Sequence, residues 1–362
     1  MFKTKGKNLI KDVVLAVTYQ CNSRCQFCNI WKKKETYSSQ MIDYQNLPHN
    51  LRNVNITGGE PFMRDDLPEV IRTISRKCPK AKIVISTNGF SPALIKKQVQ
   101  KIVKFKRDIG LAVSLDGFGK THEDLRKSPG SFCMVLETVR LLKELGIKDL
   151  KIAFTLGDQN VGQLKRVYQL SKELGVEFSL ALYHNSEHYF NKFDNQITKA
   201  RQIKKELNWL IDQELKGLSP KKWLRAYFVY GLIKFLETSQ RILPDYSGQS
   251  SIFIDPHGDV YPSDVWSLEL GNLRHIRNWN RFKSQNQGMY LSQRSPVNWM
   301  VCTARQAMRK HWLKVGLWIL RNKVRRVFSQ IREGLQRKFP SFSIFNSFRF
   351  EKINSKLLKN IR

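Results

Sequence analysis

Cysteine is scarce, with six in 362 residues. That excludes a disulfide-stapled secreted scaffold and sets a reducing, cytoplasmic compartment as the expectation. Long apolar runs are also missing. No stretch approaches the roughly eighteen continuous apolar residues that read as a bilayer span. The first twenty residues, MFKTKGKNLIKDVVLAVTYQ, hold no apolar core with a small-residue cleavage site. Acid is in short supply: 30 Asp and Glu against 63 Lys and Arg leave a net charge of +33. That balance favours an anionic neighbour, whether nucleic acid, an acidic membrane surface or a phosphorylated substrate. No segment is of low complexity, and with 41% hydrophobic and 11% aromatic residues the chain has material for a buried core.

Short β-rich runs recur: VVLAVTY (13–19), NVNIT (53–57), KIVIST (82–87), IGLAVSL (109–115), KIAFTL (151–156) and VEFSLALY (176–183). Helical stretches alternate with them. The clearest, 131–146 and 161–175, each close on a glycine suited to a helix C-cap. Six such units predict an α/β fold, a partial (β/α)6 TIM-like barrel with its chemistry at the C-terminal ends of the strands. After about residue 200 the pattern changes. Two helices (204–218 and 221–237) precede a hairpin over 251–264 that turns at Pro256-His257-Gly258. The expected organisation is a barrel over 1–200, a helical connector over 201–245, a small α+β extension over 246–302 and a basic tail over 303–362.

Thiols are gathered in one place. TYQCNSRCQFCNIWKK (18–33) carries Cys21, Cys25 and Cys28 directly after the first strand. Thiolates so close together want a soft metal. A structural zinc site needs four ligands, and His49 would have to supply the fourth. A four-iron cluster normally takes four thiolates. Three leave one iron open to an outside ligand.

The Cx3Cx2C loop after the first strand of a partial barrel resembles the signature of the radical S-adenosylmethionine (SAM) superfamily. The resemblance implies one [4Fe–4S] cluster on Cys21, Cys25 and Cys28, with SAM on the open iron. It implies reductive cleavage of SAM to methionine and a 5′-deoxyadenosyl radical, which abstracts hydrogen from a substrate. Oxygen sensitivity and a low-potential electron donor such as flavodoxin or ferredoxin follow from it. TGGEP (57–61) ends the second strand, where Gly58, Gly59 and Glu60 match the motif that receives SAM's ammonium. STNG (86–89) and SLDG (114–117) end the third and fourth. Their Ser86, Asn88, Ser114 and Asp116 match family segments that meet SAM's carboxylate and ribose. Phe27 takes the aromatic position near adenine, and Asn160 is a further match after the fifth strand. Arg126, in THEDLR (121–126), matches an arginine that reaches the SAM carboxylate. The match spans about residues 10–185.

The second half resembles the SPASM and twitch extensions of such enzymes, whose cysteines bind auxiliary clusters. Here HGDVYPSD (257–264) puts Ser263 at the cysteine position, LGNLRHIRNWN (270–280) is kept, and WMVCTARQAMRKH (299–311) retains only Cys302. A degenerate extension implies one cluster in total and gives weight to redox-neutral chemistry. Cys302 is a candidate hydrogen-atom donor and His184, at the barrel mouth, a second catalytic candidate. HNSEH (184–188) has the spacing of a zinc protease motif, but that motif needs a helix and this one follows a strand. Cys78 and Cys133 read as lone buried thiols.

The tail over 303–362 carries 16 Lys and Arg against 2 Glu. Leu313, Leu317, Leu320, Val324, Val327, Phe328, Ile331 and Leu335 define one helical face. Lys314, Arg321, Arg325 and Arg332 supply a polar side, Trp312 and Trp318 add amphipathic rings, and Pro340 ends the run. This predicts a basic amphipathic helix over 311–338 that meets an anionic membrane surface, followed by the Phe-rich stretch 339–353. The alternative is that the stripe packs on the barrel. Nucleic acid is less favoured, because the aromatics pattern as a helix face and not as a stacking sheet. The expected enzyme is peripheral at the cytoplasmic membrane face and acts on a small-molecule, lipid-linked, glycosyl or peptide substrate. The competing reading is a non-catalytic membrane- or RNA-associated binding protein on the same scaffold.

Overall fold

The computed structural model describes residues 10–33, 41–292 and 298–338. The strands are β1 (Asp12–Ala16), β2 (Asn53–Thr57), β3 (Lys82–Thr87), β4 (Gly110–Ser114), β5 (Asp149–Leu156), β6 (Glu177–Leu182), β7 (Ser251–Ile254), β8 (Asp259–Tyr261) and β9 (Gly271–Asn272). The helices are α1 (Met41–Tyr44), α2 (Leu67–Lys77), α3 (Pro92–Val103), α4 (Lys120–Arg126), α5 (Ser131–Glu144), α6 (Leu164–Glu173), α7 (Ala200–Lys216), α8 (Pro220–Thr238), α9 (Trp279–Ser292), α10 (Val301–Lys310) and α11 (Trp312–Lys338). All six predicted barrel strands form, in register and parallel, in the order β6-β5-β4-β3-β2-β1.

Strict alternation gives the sheet two unlike faces. Val13, Leu15, Val54, Ile56, Ile83, Ile85, Leu111, Val113, Ile152 and Phe154 are almost fully buried. They form the helix-covered face, and each such side chain contributes about 2 kcal/mol by leaving water. The inner face carries smaller and more polar residues, among them Asn55, Thr57, Ser86, Ala112, Ser114 and Thr155, mostly half-buried. That face has room for a ligand.

The predicted hairpin over 251–264 forms as β7 and β8, with Phe253 opposite Tyr261. It does not stand apart as a separate extension. Strand β7 pairs in parallel with β1, Leu15 opposite Ile254, so the barrel sheet continues through β7 into β8 and β9. A parallel partner some 240 residues along the chain leaves no local pattern to read.

The chain divides into two compact units, residues 1–210 with 228–310, and residues 211–227 with 311–362. The expected connector over 201–245 is shared between them. In the second unit α11 packs on the end of α7 and the start of α8. Trp318 meets Tyr227 edge-on at 5.3 Å, and Lys323 lies over Trp223 at 3.8 Å and donates to Gly217 O at 3.3 Å. Arg326 donates to Asp212 O. Cations near the C-terminal end of α7 suit the negative end of its dipole. The Phe-rich stretch 339–353 and Pro340 lie outside the described residues, as do the side chains of Val327, Arg332 and Leu335. No described helix is long and apolar enough to cross a membrane.

Candidate active site

The cysteine loop leaves β1 at its C-terminal end and is clamped by the turn that ends β2. Gly59 N donates to Thr18 O, and Glu60 N to Gln20 O, each at 2.8 Å. Both glycines are required by contact. A Cβ on Gly58, whose φ is +140°, would sit 2.3 Å from Thr18 O, and one on Gly59 would sit 2.1 Å from Gln20 O. The close approach expected of this motif is therefore made first of all to the backbone of the cysteine loop. Gly59→Ala is expected to cost about 3 kcal/mol in urea unfolding, since backbone atoms cannot step aside. Gly316→Ala, with nothing within 4 Å of the added carbon, is expected to be neutral or slightly stabilising.

Glu60 is buried and laces strand ends together. Its Oε1 accepts from Thr87 Oγ1 at 2.8 Å and Phe62 N at 3.2 Å, and its Oε2 from Asn88 N at 2.7 Å. Burial pushes its carboxyl up to about 7 from an ordinary 4.5, against the pull of these donors. The folded chain thus holds this proton more tightly than the unfolded one. Its contribution to stability is full below the unfolded value and is lost as pH rises through about 7, by up to about 1.4 kcal/mol per pH unit. In urea titrations of iron-free protein, Glu60→Gln is expected to remove that slope between pH 4.5 and 7.

Asn88 donates to Asn22 Oδ1 in the cysteine loop at 2.6 Å. Asp116, with no exposed side-chain surface, takes Thr155 N at 2.7 Å and Arg126 Nε and Nη2 at 2.6 and 2.5 Å. Burial pushes Asp116 up, while Arg126 and the Thr155 N–H pull it back. Asn160 gives both amide hydrogens to Asp116 O and Thr155 O at 2.8 Å and accepts from Gly157 N. Sequence reasoning expects these side chains to face a ligand; the bonds they make here hold the mouth of the barrel together. Ser86 and Ser114 stand half-buried on the inner face. Phe27 packs on Tyr183 at 4.7 Å, with the Arg126 guanidinium 5.2 Å from its ring.

Arg126 also reaches the thiols. Its Nη1 lies 3.5 Å from Cys25 Sγ, and Ser23 Oγ lies 3.0 Å from the same sulfur. Ser23 donates in turn to Arg126 O at 3.1 Å. Cys25 is buried and Cys21 and Cys28 are half-buried against Ala16, Tyr19 and Ile30. Burial pushes the Cys28 thiol up to about 12 and Cys21 upward too, each aggravated by the neighbouring Cys25.

Residues 15–170 match the family profile described as the radical SAM superfamily. Those residues form a radical SAM domain. Among curated relatives, a probable GTP 3′,8-cyclase of Methanococcus aeolicus is 29% identical over 251 residues, covering 65% of this chain and 74% of the relative. The antilisterial bacteriocin subtilosin biosynthesis protein AlbA of Bacillus subtilis is 23% identical, covering 72% of this chain and 56% of its own length. The chain spans little more than half of several further curated relatives. Among solved structures, Streptococcus suis SuiB bound to precursor peptide SuiA superposes with a TM-score of 0.58 at 19% identity, over 79% of this chain and 67% of SuiB. That likeness speaks to the fold. Radical SAM enzymes use SAM and a [4Fe–4S] cluster, and the donor set here fits such a cluster. Thiols that burial holds protonated, as it does Cys21 and Cys28, ionise when a soft cationic centre compensates them.

The zinc alternative is not assembled. β1 and β2 are parallel, so His49, just before β2, lies at the opposite end of the sheet from Cys21, just after β1. Among the described residues no three His, Cys, Asp or Glu converge on a single-ion site. Nor does HNSEH form a helix. His184 turns towards Asp264, Nε2 to Oδ2 at 3.9 Å, while His188 packs tilted against Tyr261, ring centres 4.3 Å apart. Cys302 sits on α10, whose Arg305 and Arg309 reach Asp12 at the far end of β1 at 3.5 and 3.6 Å. It lies within electrostatic reach of Asp264 and Asp12, and burial pushes its thiol up. Cys78 is buried as expected, but Cys133 is exposed on α5.

Sequence reasoning missed Asn22, Ser23 and Tyr189. The first two are the short polar residues between Cys21 and Cys25, and their type was the available signal. Tyr189 had none. Its hydroxyl lies 2.9 Å from Thr57 Oγ1, 3.1 Å from Gly58 N and 3.0 Å from Gly58 O. The segment around it is tied to the cysteine loop by Asn29 N to Phe190 O at 3.0 Å and Asn195 Nδ2 to Phe27 O at 3.0 Å.

Proposed function

We propose that this enzyme reductively cleaves SAM at one [4Fe–4S] cluster held by Cys21, Cys25 and Cys28, and abstracts hydrogen from a lipid-linked, glycosyl or peptide substrate. The observation that carries the reading is the clamped loop. Three thiols are held between the Gly58–Gly59 turn on one side and the Arg126–Asp116 pair on the other. The cluster supplies one low-potential electron when bound. In this reading Gly58, Gly59 and Glu60 receive SAM's ammonium. Ser86, Asn88, Ser114, Asp116, Asn160 and Arg126 serve its carboxylate and ribose, and Phe27 its adenine. A flavodoxin or ferredoxin delivers the electron.

A peptide substrate is supported by the likeness to AlbA and SuiB, and a small-molecule substrate by the likeness to the cyclases. The β7–β9 stretch, with Ser263 buried where an auxiliary ligand would stand, supports a degenerate SPASM/twitch-like segment and redox-neutral chemistry. The exposed basic helix α11 supports work at the cytoplasmic membrane face. The test is anaerobic purification, reconstitution with iron and sulfide, reduction and addition of SAM. About four irons per chain and reductant-dependent 5′-deoxyadenosine are expected. No 5′-deoxyadenosine above an unreduced control defeats the reading.

A further inference from the structure

The second unit turns its apolar stripe away from its own packing. On α11, Leu313, Leu317, Leu320, Val324, Phe328 and Ile331 are between 45% and 61% exposed, and Trp312 is 66% exposed. At 100° per residue the six fall within about 80° of the helix circumference. The side that packs on α7 and α8 is a different one, carried by Val315, Trp318, Lys323 and Arg326. Six adjacent apolar side chains on one helix that the described residues leave exposed call for an occupant.

Charge says which. Helix α11 holds eight Lys and Arg against one Glu. Lys314, Arg321 and Arg325 are exposed and run in a line along one flank of the stripe. An apolar strip edged by cations matches the boundary between acyl chains and anionic headgroups. Nucleic acid would answer the arginines but offers nothing to leucine, isoleucine and phenylalanine. A second copy of this chain would answer the stripe but set the same excess of cations against itself.

We infer that α11 lies in the plane of an anionic membrane, with Leu313, Leu317, Leu320, Val324, Phe328 and Ile331 inserted among the acyl chains and Arg321 and Arg325 at the phosphates. This deepens the membrane placement proposed above. It is measured without SAM or reductant, so it can fail while the SAM chemistry stands, and the reverse.

The experiment is co-sedimentation of the full chain with phosphatidylcholine vesicles, with and without phosphatidylglycerol. Binding at least tenfold stronger with the anionic lipid is expected. Leu317→Glu/Leu320→Glu and Arg321→Glu/Arg325→Glu should each weaken it at least tenfold, and both pairs are exposed, so circular dichroism should stay that of the parent. Equal binding to both vesicles, or to neither, overturns the inference. So does full binding by the leucine variant, which would mean surface electrostatics without insertion. A dimer of the parent that the leucine variant converts to monomer, or stripe-dependent capture of RNA, assigns the face to another occupant and also overturns it.

Discussion

Cys25→Ala should leave a folded protein without its cluster. Among the three thiols of the loop, Cys25 is the buried one, and its sulfur lies 3.0 Å from Ser23 Oγ and 3.5 Å from Arg126 Nη1. The Ser23 hydroxyl already gives its hydrogen to Arg126 O, so Arg126 Nη1 is the charged donor beside this sulfur. Alanine removes the ligand, while the loop keeps its backbone bonds to Gly59, Glu60 and Leu125. After reconstitution, iron should fall to near background, and 5′-deoxyadenosine formation should drop by at least about a thousandfold, a barrier increase of ~4 kcal/mol. Circular dichroism should be unchanged. Cys133→Ala, on the exposed side of α5, should behave as the parent in both assays. Parent-level iron in Cys25→Ala would overturn the ligand assignment.

The parts of this site that were legible in the sequence are those written in local pattern. Strands with period-two alternation gave the barrel, and each motif stood one step past the end of its strand, where βα units gather chemistry. What was hidden depends on long-range pairing. Nothing near residue 189 predicts that a tyrosine hydroxyl will rest on Gly58, and SIFIDPH reads as a hairpin arm whether or not its first strand joins β1. Arg126 was legible as a site residue but not as a neighbour of Cys25, because that contact is made by the turn of α4 against the loop. The stripe of α11 was plain as a pattern. Its direction was not, since beside Val315 and Trp318 the inward side is held by Lys323 and Arg326 on the backbone carbonyls of Gly217 and Asp212, polar contacts that a hydrophobic periodicity does not register.

The second large effect belongs to the pair behind the loop. Arg126→Met keeps most of the side-chain volume but leaves the Asp116 carboxylate fully buried with the neutral N–H and hydroxyl of Thr155 to meet it in place of a cation. Breaking a buried ion pair from one side costs about 3–5 kcal/mol, because the surviving charge is left unpaired and out of water. A value near 4 kcal/mol is expected in urea unfolding of iron-free protein. Asp116→Asn alone leaves the guanidinium buried without its carboxylate, with Cys25 Sγ and the Phe27 ring still beside it. The double variant removes both charges, and an asparagine oxygen can still accept from Thr155 N. It should therefore be more stable than the sum of the singles predicts, by about 2 kcal/mol. Iron uptake supplies a second readout. It should fall in Arg126→Met and stay low in the double variant, since neither restores the donor at Cys25. Additivity of the two substitutions to within about 0.5 kcal/mol would mean that the pair does not hold the loop, and the clamp would reduce to the glycine turn alone.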